Sequence, residues 1–107
     1  MKKYILYILD AKNCTSLEEI RYHIDLIDGE IVSLLAKRGG YVSQAAKFKT
    51  NIGNVEDKNR IQEIISKVTK YANELNFDPS VVTQIYEFLI QVYIQYERKT
   101  FEKNKVP

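Results

Sequence analysis

Residues 17–49, LEEIRYHIDLIDGEIVSLLAKRGGYVSQAAKFK, decide the fold. Ile20, Ile24, Ile27, Ile31 and Leu34 recur at spacings of four and three; Arg38 takes the next seam position, and Tyr41 and Ala45 continue it. That period marks one long helix whose apolar stripe packs against other helices. Gly39 and Gly40 weaken such a helix by about 1 kcal/mol each without forbidding it. The pattern therefore predicts a helix from Leu17 to Lys49 or Thr50. Thr15 or Ser16 is a natural N-cap, and Ser16 with Glu19 three residues later makes a capping box.

A guanidinium on an apolar seam is expensive unless something anionic meets it, because removing a charge from water costs several kcal/mol before pairing offsets it. Arg38 therefore asks for a buried anion. Lys49 follows eleven residues later. At about 100° per residue the two side chains point within about 20° of each other, about three turns apart. Arg21 lies about 100° away around the axis and about 25 Å down it, beyond reach of a small molecule held by Arg38 and Lys49 of its own helix. If all three serve one site, Arg21 comes from another copy of the chain. A plainer reading stands beside this one. Arg and Lys snorkel along apolar surfaces with their heads in water, and Arg21 has Asp25 four residues on as an ordinary helix-surface partner.

The chain has 107 residues, enough for one domain and a modest core but short for a monomer of very long helices, so a homodimer is expected. Charged residues make up 28% and the net charge is only +2. Neither a nucleic-acid face nor a disordered acidic chain fits that balance. Cys14, the single cysteine, excludes an internal disulfide, suits a reducing compartment and has no basic cluster to activate it. The opening MKKYILYIL has too short an apolar run for a secretory signal, and no stretch approaches the roughly 20 apolar residues that span a bilayer. A cytoplasmic location is expected, with residues 1–13 as an N-terminal extension whose residues 3–9 pack over a helix or move freely.

Beyond the first helix, residues 50–59 read as a polar loop containing Gly53, either a flap over the cationic site or a plain connector. Ile61, Ile64, Ile65, Val68, Ala72 and Leu75 predict a second helix closed by Asn76. Asp78 as N-cap and Pro79 at the first position open a third, running through Val82, Ile85, Leu89, Val92, Tyr93 and Tyr96 to about Lys103. The fold class is all-α, one long helix and two shorter ones.

CTSLEEIRYHIDLIDGEIVSLLAKRGGYVSQAAKFK (14–49), VEDKNR (55–60) and IYEFLIQVYIQYERK (85–99) together resemble the all-helical chorismate mutase family. Within it the likeness is greater to the isochorismate pyruvate-lyase branch, the salicylate-forming enzymes of siderophore synthesis. The resemblance implies an intertwined homodimer with two sites, each formed by one protomer plus an arginine, here Arg21, from the other. It casts Arg38 and Arg60 as binders of the substrate carboxylates, Lys49 as the cation on the ether oxygen, and Asp57 as a loop residue that helps hold the substrate hydroxyl. It implies no metal and no organic cofactor. The sequence itself offers His23 and no ligand cluster of metal-binding spacing.

The chemistry suits such a cage. Chorismate and isochorismate are dicarboxylates with an enolpyruvyl ether that react intramolecularly, so no nucleophile is needed. Arginines clamp the carboxylates in a reactive conformer, and Lys49 opposes the charge that grows on the ether oxygen. Two positions depart from the typical mutase. Ile61 stands where a glutamate binds the ring hydroxyl of chorismate, and the lyase branch is apolar there. Glu97 stands where many relatives have a glutamine that donates to the ether oxygen, and a carboxyl group donates only when protonated. The apolar neighbours Tyr93 and Phe101 favour its neutral form and Lys49 its ionised form. The alternative is an exposed Glu97 paired with Arg98 or a lysine. Tyr93 matches a small polar position near a substrate carboxylate in some relatives, though core packing explains it as well.

The leading expectation is a pericyclic lyase that cleaves isochorismate to salicylate and pyruvate with side chorismate mutase activity. The alternatives are a dedicated chorismate mutase and, from another class, a non-catalytic ligand-sensing helical dimer.

Overall fold

The computed structural model describes residues 11–50 and 55–105. Three helices occupy most of them: α1 (Leu17–Ala46), α2 (Lys58–Glu74) and α3 (Pro79–Lys105). No strand occurs among the described residues, and the all-α class is observed. The expected extended or mobile stretch at residues 3–9 lies outside them.

Each helix starts where its capping residues dictate. Ser16 Oγ accepts from Glu19 N at 3.0 Å, while the Glu19 carboxylate reaches back to Thr15, accepting from its N–H at 3.0 Å and its hydroxyl at 3.3 Å. The return half of the box thus falls one residue earlier than the usual pattern. The Thr15 backbone N–H holds the Glu19 carboxyl below its ordinary range. Asp57 caps α2 by accepting from Arg60 N at 3.0 Å, and Asp78 caps α3 by accepting from Ser80 N at 2.9 Å. Asn76 closes α2 in the left-handed region with φ 56°. The Phe77 N–H then reaches the Ala72 carbonyl and the Asn76 N–H the Asn73 carbonyl, the paired bonds of a Schellman ending.

Three expected boundaries shift. α1 ends at Ala46 rather than Lys49 or Thr50, because Lys47, Phe48 and Lys49 donate to carbonyls three residues back and tighten into a turn. α2 begins at Lys58, so the loop expected over 50–59 gives its last two residues to the helix. α3 continues past Lys103 to Lys105.

The chain divides into two compact units, Met1–Lys37 and Arg38–Pro107. In the first, the apolar stripe expected to pack against other helices is open to solvent: Ile24, Ile27 and Ile31 are 48%, 53% and 46% exposed. In the second, α2 packs along α3. Val55, Ile90 and Ile94 form its buried centre, with Ile61, Ile64 and Ile65 packed against them. Val55 comes from the segment before α2, and Glu56 beside it pairs with Arg98 of α3 at 3.1 Å. The described end of the loop is therefore pinned to α3 by one buried apolar side chain and one ion pair.

Candidate active site

A cavity of about 370 Å³ lies within the second unit, where the last turns of α1, the turn after it, the start of α2 and the middle of α3 converge. Its volume suits a small organic ligand. A groove of about 570 Å³ elsewhere on α2 and α3 is larger, but Gln62, Ser66, Glu87 and Gln91 line it without a cation. Charge, rather than volume, singles out the first.

Arg38, Lys49, Asp57 and Arg60 all line this cavity. So do Ile61, Tyr93 and Glu97. The sequence-based site residues of the second unit are thus brought together without exception. Arg21 is exposed on the first half of α1 and belongs to the other unit.

Arg38 is half-buried, with its guanidinium 4.3 Å from the centre of the Tyr93 ring. A cation over an aromatic face is attracted by the ring quadrupole. Its Nη1 is buried and has no hydrogen-bond partner among the described residues. A buried donor on a cation without an acceptor is costly to leave unmade, so Arg38 presents the unmet demand for an anion that its seam position implies. Tyr93 supplies the platform beneath it, beyond the core packing that the sequence alone explains.

Lys49 reaches the same cavity from the turn after α1 rather than from the helix. Its Nζ lies 3.3 Å from Glu97 Oε2. That oxygen makes no directed hydrogen bond, so the contact is an ion pair held by charge and proximity. Glu97 is only 8% exposed, and Arg98 turns instead to Glu56, which removes the reading of an exposed Glu97 paired with its neighbour. Arg60 is exposed and bonds to Glu63 one turn on, which also meets Lys67 at 3.9 Å. Asp57 has a structural task as the cap of α2, and that task aims its carboxylate at the helix start, beside the cavity.

The apolar walls come from Val42, Val55, Ile61, Ile64, Ile90 and Ile94. Tyr41, Val42 and Ala45 follow Arg38 by three, four and seven residues, so the helical period that placed Arg38 also faces them inward. Sequence reasoning missed Val55, since an isolated valine in a polar loop carries no periodic signal. It also missed a cluster in the first unit. Ligand atoms of Cys14, Glu19 and His23 lie within 4.8 Å of one another, which corrects the expectation of no such grouping. Glu19 and His23 share a helix face four residues apart, and the non-helical segment before Ser16 brings Cys14 back beside them.

An all-helical chain that gathers three cations and two carboxylates around a small apolar-walled cavity keeps a net positive charge there, suited to a small anion. The chorismate mutase type II family matches residues 20–98, and the chain belongs to that family. A chorismate mutase of Methanocaldococcus jannaschii is 33% identical over 94 residues, covering 83% of this chain and 95% of that protein. An isochorismate pyruvate lyase of Pseudomonas aeruginosa is 29% identical over 94 residues, covering 88% and 93%. No helix among the described residues is long and apolar enough to cross a membrane.

Proposed function

We propose that this chain cleaves isochorismate to salicylate and pyruvate, with chorismate mutase activity as a side reaction of the same cage. The observation that carries the choice is Ile61, an apolar side chain on the cavity wall directly after Arg60, where typical mutases place a glutamate for the ring hydroxyl of chorismate. The cage serves both reactions. Arg38, held over Tyr93 with Nη1 unpaired, binds one carboxylate, and Arg60 turns from Glu63 to bind the other. Two bidentate clamps fold the enolpyruvyl group over the ring and convert binding into proximity.

In the lyase reaction the ring carbon–oxygen bond breaks, a ring hydrogen moves to the methylene carbon of the side chain, and the ring becomes aromatic as pyruvate leaves. Electron density grows on the ether oxygen, and Lys49 stabilises it there. Glu97, 3.3 Å from the Lys49 ammonium, holds that cation at the cavity edge. Asp57 helps hold the substrate hydroxyl from its position at the start of α2. No step calls on a metal or an organic cofactor.

The enzyme works as a homodimer, each site taking Arg21 from the partner protomer. The exposed Ile24, Ile27 and Ile31 support self-association, since a stripe of that size is unusual on a monomer and matches a second copy. The chain serves salicylate-dependent siderophore synthesis in the cytoplasm.

The identity to the archaeal chorismate mutase favours a second reading, a dedicated mutase forming prephenate. The test supplies purified protein with isochorismate and chorismate separately, following salicylate by fluorescence and prephenate by conversion to phenylpyruvate. A higher kcat/KM for isochorismate is expected. Preference for chorismate establishes the mutase, and inertness toward both leaves a ligand-sensing dimer.

A further inference from the structure

Two contacts between α3 and the part of α1 that bears Arg38 lie outside the cavity lining. Tyr96 is not among the cavity's lining residues, yet it meets α1 at two points one turn apart. Ser43 Oγ lies 3.1 Å from the Tyr96 hydroxyl in a hydrogen bond. The Tyr96 ring lies against Gly39, where a Cβ would stand 3.6 Å from its Cε2. Gly39 and Ser43 are four residues apart on one face, and Arg38 precedes the first of them. Tyr96 also packs edge-on against Tyr93, with ring centroids 6.2 Å apart and planes at 72°. Tyr93 in turn carries the Arg38 guanidinium. One side chain therefore grips the helix turn that bears Arg38 and also steadies the ring on which its head rests.

Each link has a physical consequence. Glycine at position 39 leaves the Tyr96 ring edge within a methyl group's contact distance of α1, and the Ser43 bond ties the same ring to the helix one turn on. The edge-to-face contact holds the Tyr93 ring plane, because the positive edge of one ring is attracted to the negative face of the other. A guanidinium clamp depends on alignment, because a bidentate pair is lost when the fork tilts away from the carboxylate.

We propose that Tyr96 is a positioning residue for Arg38: through Gly39 and Ser43 on one side and Tyr93 on the other it sets the orientation of the guanidinium toward its anion. The kinetic consequence rests on the cavity being a dicarboxylate site; the geometric one does not.

The test uses the full chain with Tyr96→Phe, Tyr96→Leu and Ser43→Ala, and Val68→Ala as a control at a buried position of α2 that does not line the cavity. Tyr96→Leu is expected to raise KM about ten-fold with kcat within about two-fold, the pattern of lost binding common to ground and transition states. Tyr96→Phe and Ser43→Ala each remove the same hydrogen bond, so each raises KM about three-fold and the double variant does no more. The Arg38 Nε–Hε resonance, shifted by the Tyr93 ring in the parent protein, moves toward that of a free arginine in Tyr96→Leu. It stays in place in Val68→Ala even though that protein unfolds earlier. An unmoved Arg38 resonance in Tyr96→Leu overturns the proposal, as does a KM change that Val68→Ala reproduces. A parent protein inert on both substrates refutes the proposed function instead, and the resonance then decides the role of Tyr96.

Discussion

The Lys49 ammonium lies 3.3 Å from the Glu97 carboxylate, joining the turn after α1 to the middle of α3 at the edge of the cavity. A dicarboxylate that enters must compete with Glu97 for this cation. The pair ties the turn after α1 to α3, and substitutions at Lys49 and Glu97 separate that tie from the charge that Lys49 is proposed to supply.

Lys49→Ala is expected to lower kcat/KM by about 10²–10³, the range for losing one preorganised group at a developing oxyanion. It also leaves a buried carboxylate without its ion-pair partner, so the urea midpoint falls. Adding Glu97→Gln removes the stranded charge and restores the midpoint while the rate stays low. A double variant that regained the rate would show that Lys49 acts only by neutralising Glu97.

Ile61→Glu places a carboxylate on the cavity wall beside Arg60. A new hydrogen-bond acceptor for the ring hydroxyl favours chorismate, while the buried charge penalises isochorismate. The ratio of kcat/KM for chorismate over isochorismate is expected to rise by about ten-fold or more. An unchanged ratio would mean that Ile61 is wall packing and that specificity is set elsewhere.

What a sequence reveals, and what it conceals, follows from how each residue signals. Arg38 is legible because a cation interrupts an apolar period, and its buried, unpartnered Nη1 is the physical form of that interruption. The helical period assigns Lys49 to the right cavity although the helix stops three residues short of it; the turn of 47–49 curls tightly enough to keep its side chain at the site. Asp57, read through family resemblance as a substrate contact, is also the cap of α2, a role written in its spacing to Arg60. Tyr96 is hidden because a tyrosine on an apolar seam reads as core whether or not its hydroxyl reaches Ser43. Cys14, Glu19 and His23 are hidden because proximity across a non-helical cap has no period.

Gly39 provides a test of packing rather than chemistry. Its φ is not positive, and a methyl group there would meet the Tyr96 ring at an ordinary contact distance of 3.6 Å. Gly39→Ala is therefore expected to stabilise the protein by about 0.5–1 kcal/mol through helix propensity and a restricted unfolded chain. Urea denaturation measures the change, and a loss of stability would mean that α1 lies closer to the ring than the structure describes.

The partner's role of Arg21 makes a prediction that no property of one chain mimics. If each site joins Arg38 of one protomer to Arg21 of the other, Arg21→Ala and Arg38→Ala homodimers are each inactive. A mixed dimer differs. The protomer that carries Arg21→Ala keeps its own Arg38 and receives an intact Arg21, so one of its two sites is complete, while the other site lacks both. Co-expression with random pairing makes about half the dimers mixed, and the pool should recover about a quarter of parental activity per protomer. Mixing after separate folding recovers it only as subunits exchange. Placing both substitutions on one chain and pairing it with the parent chain also leaves one arginine of each pair in place, yet never both in the same site, so that pool keeps only the activity of its parental homodimers. Activity in that last mixed dimer, with none in the first, would put Arg21 and Arg38 of the same chain in one site and remove the shared architecture.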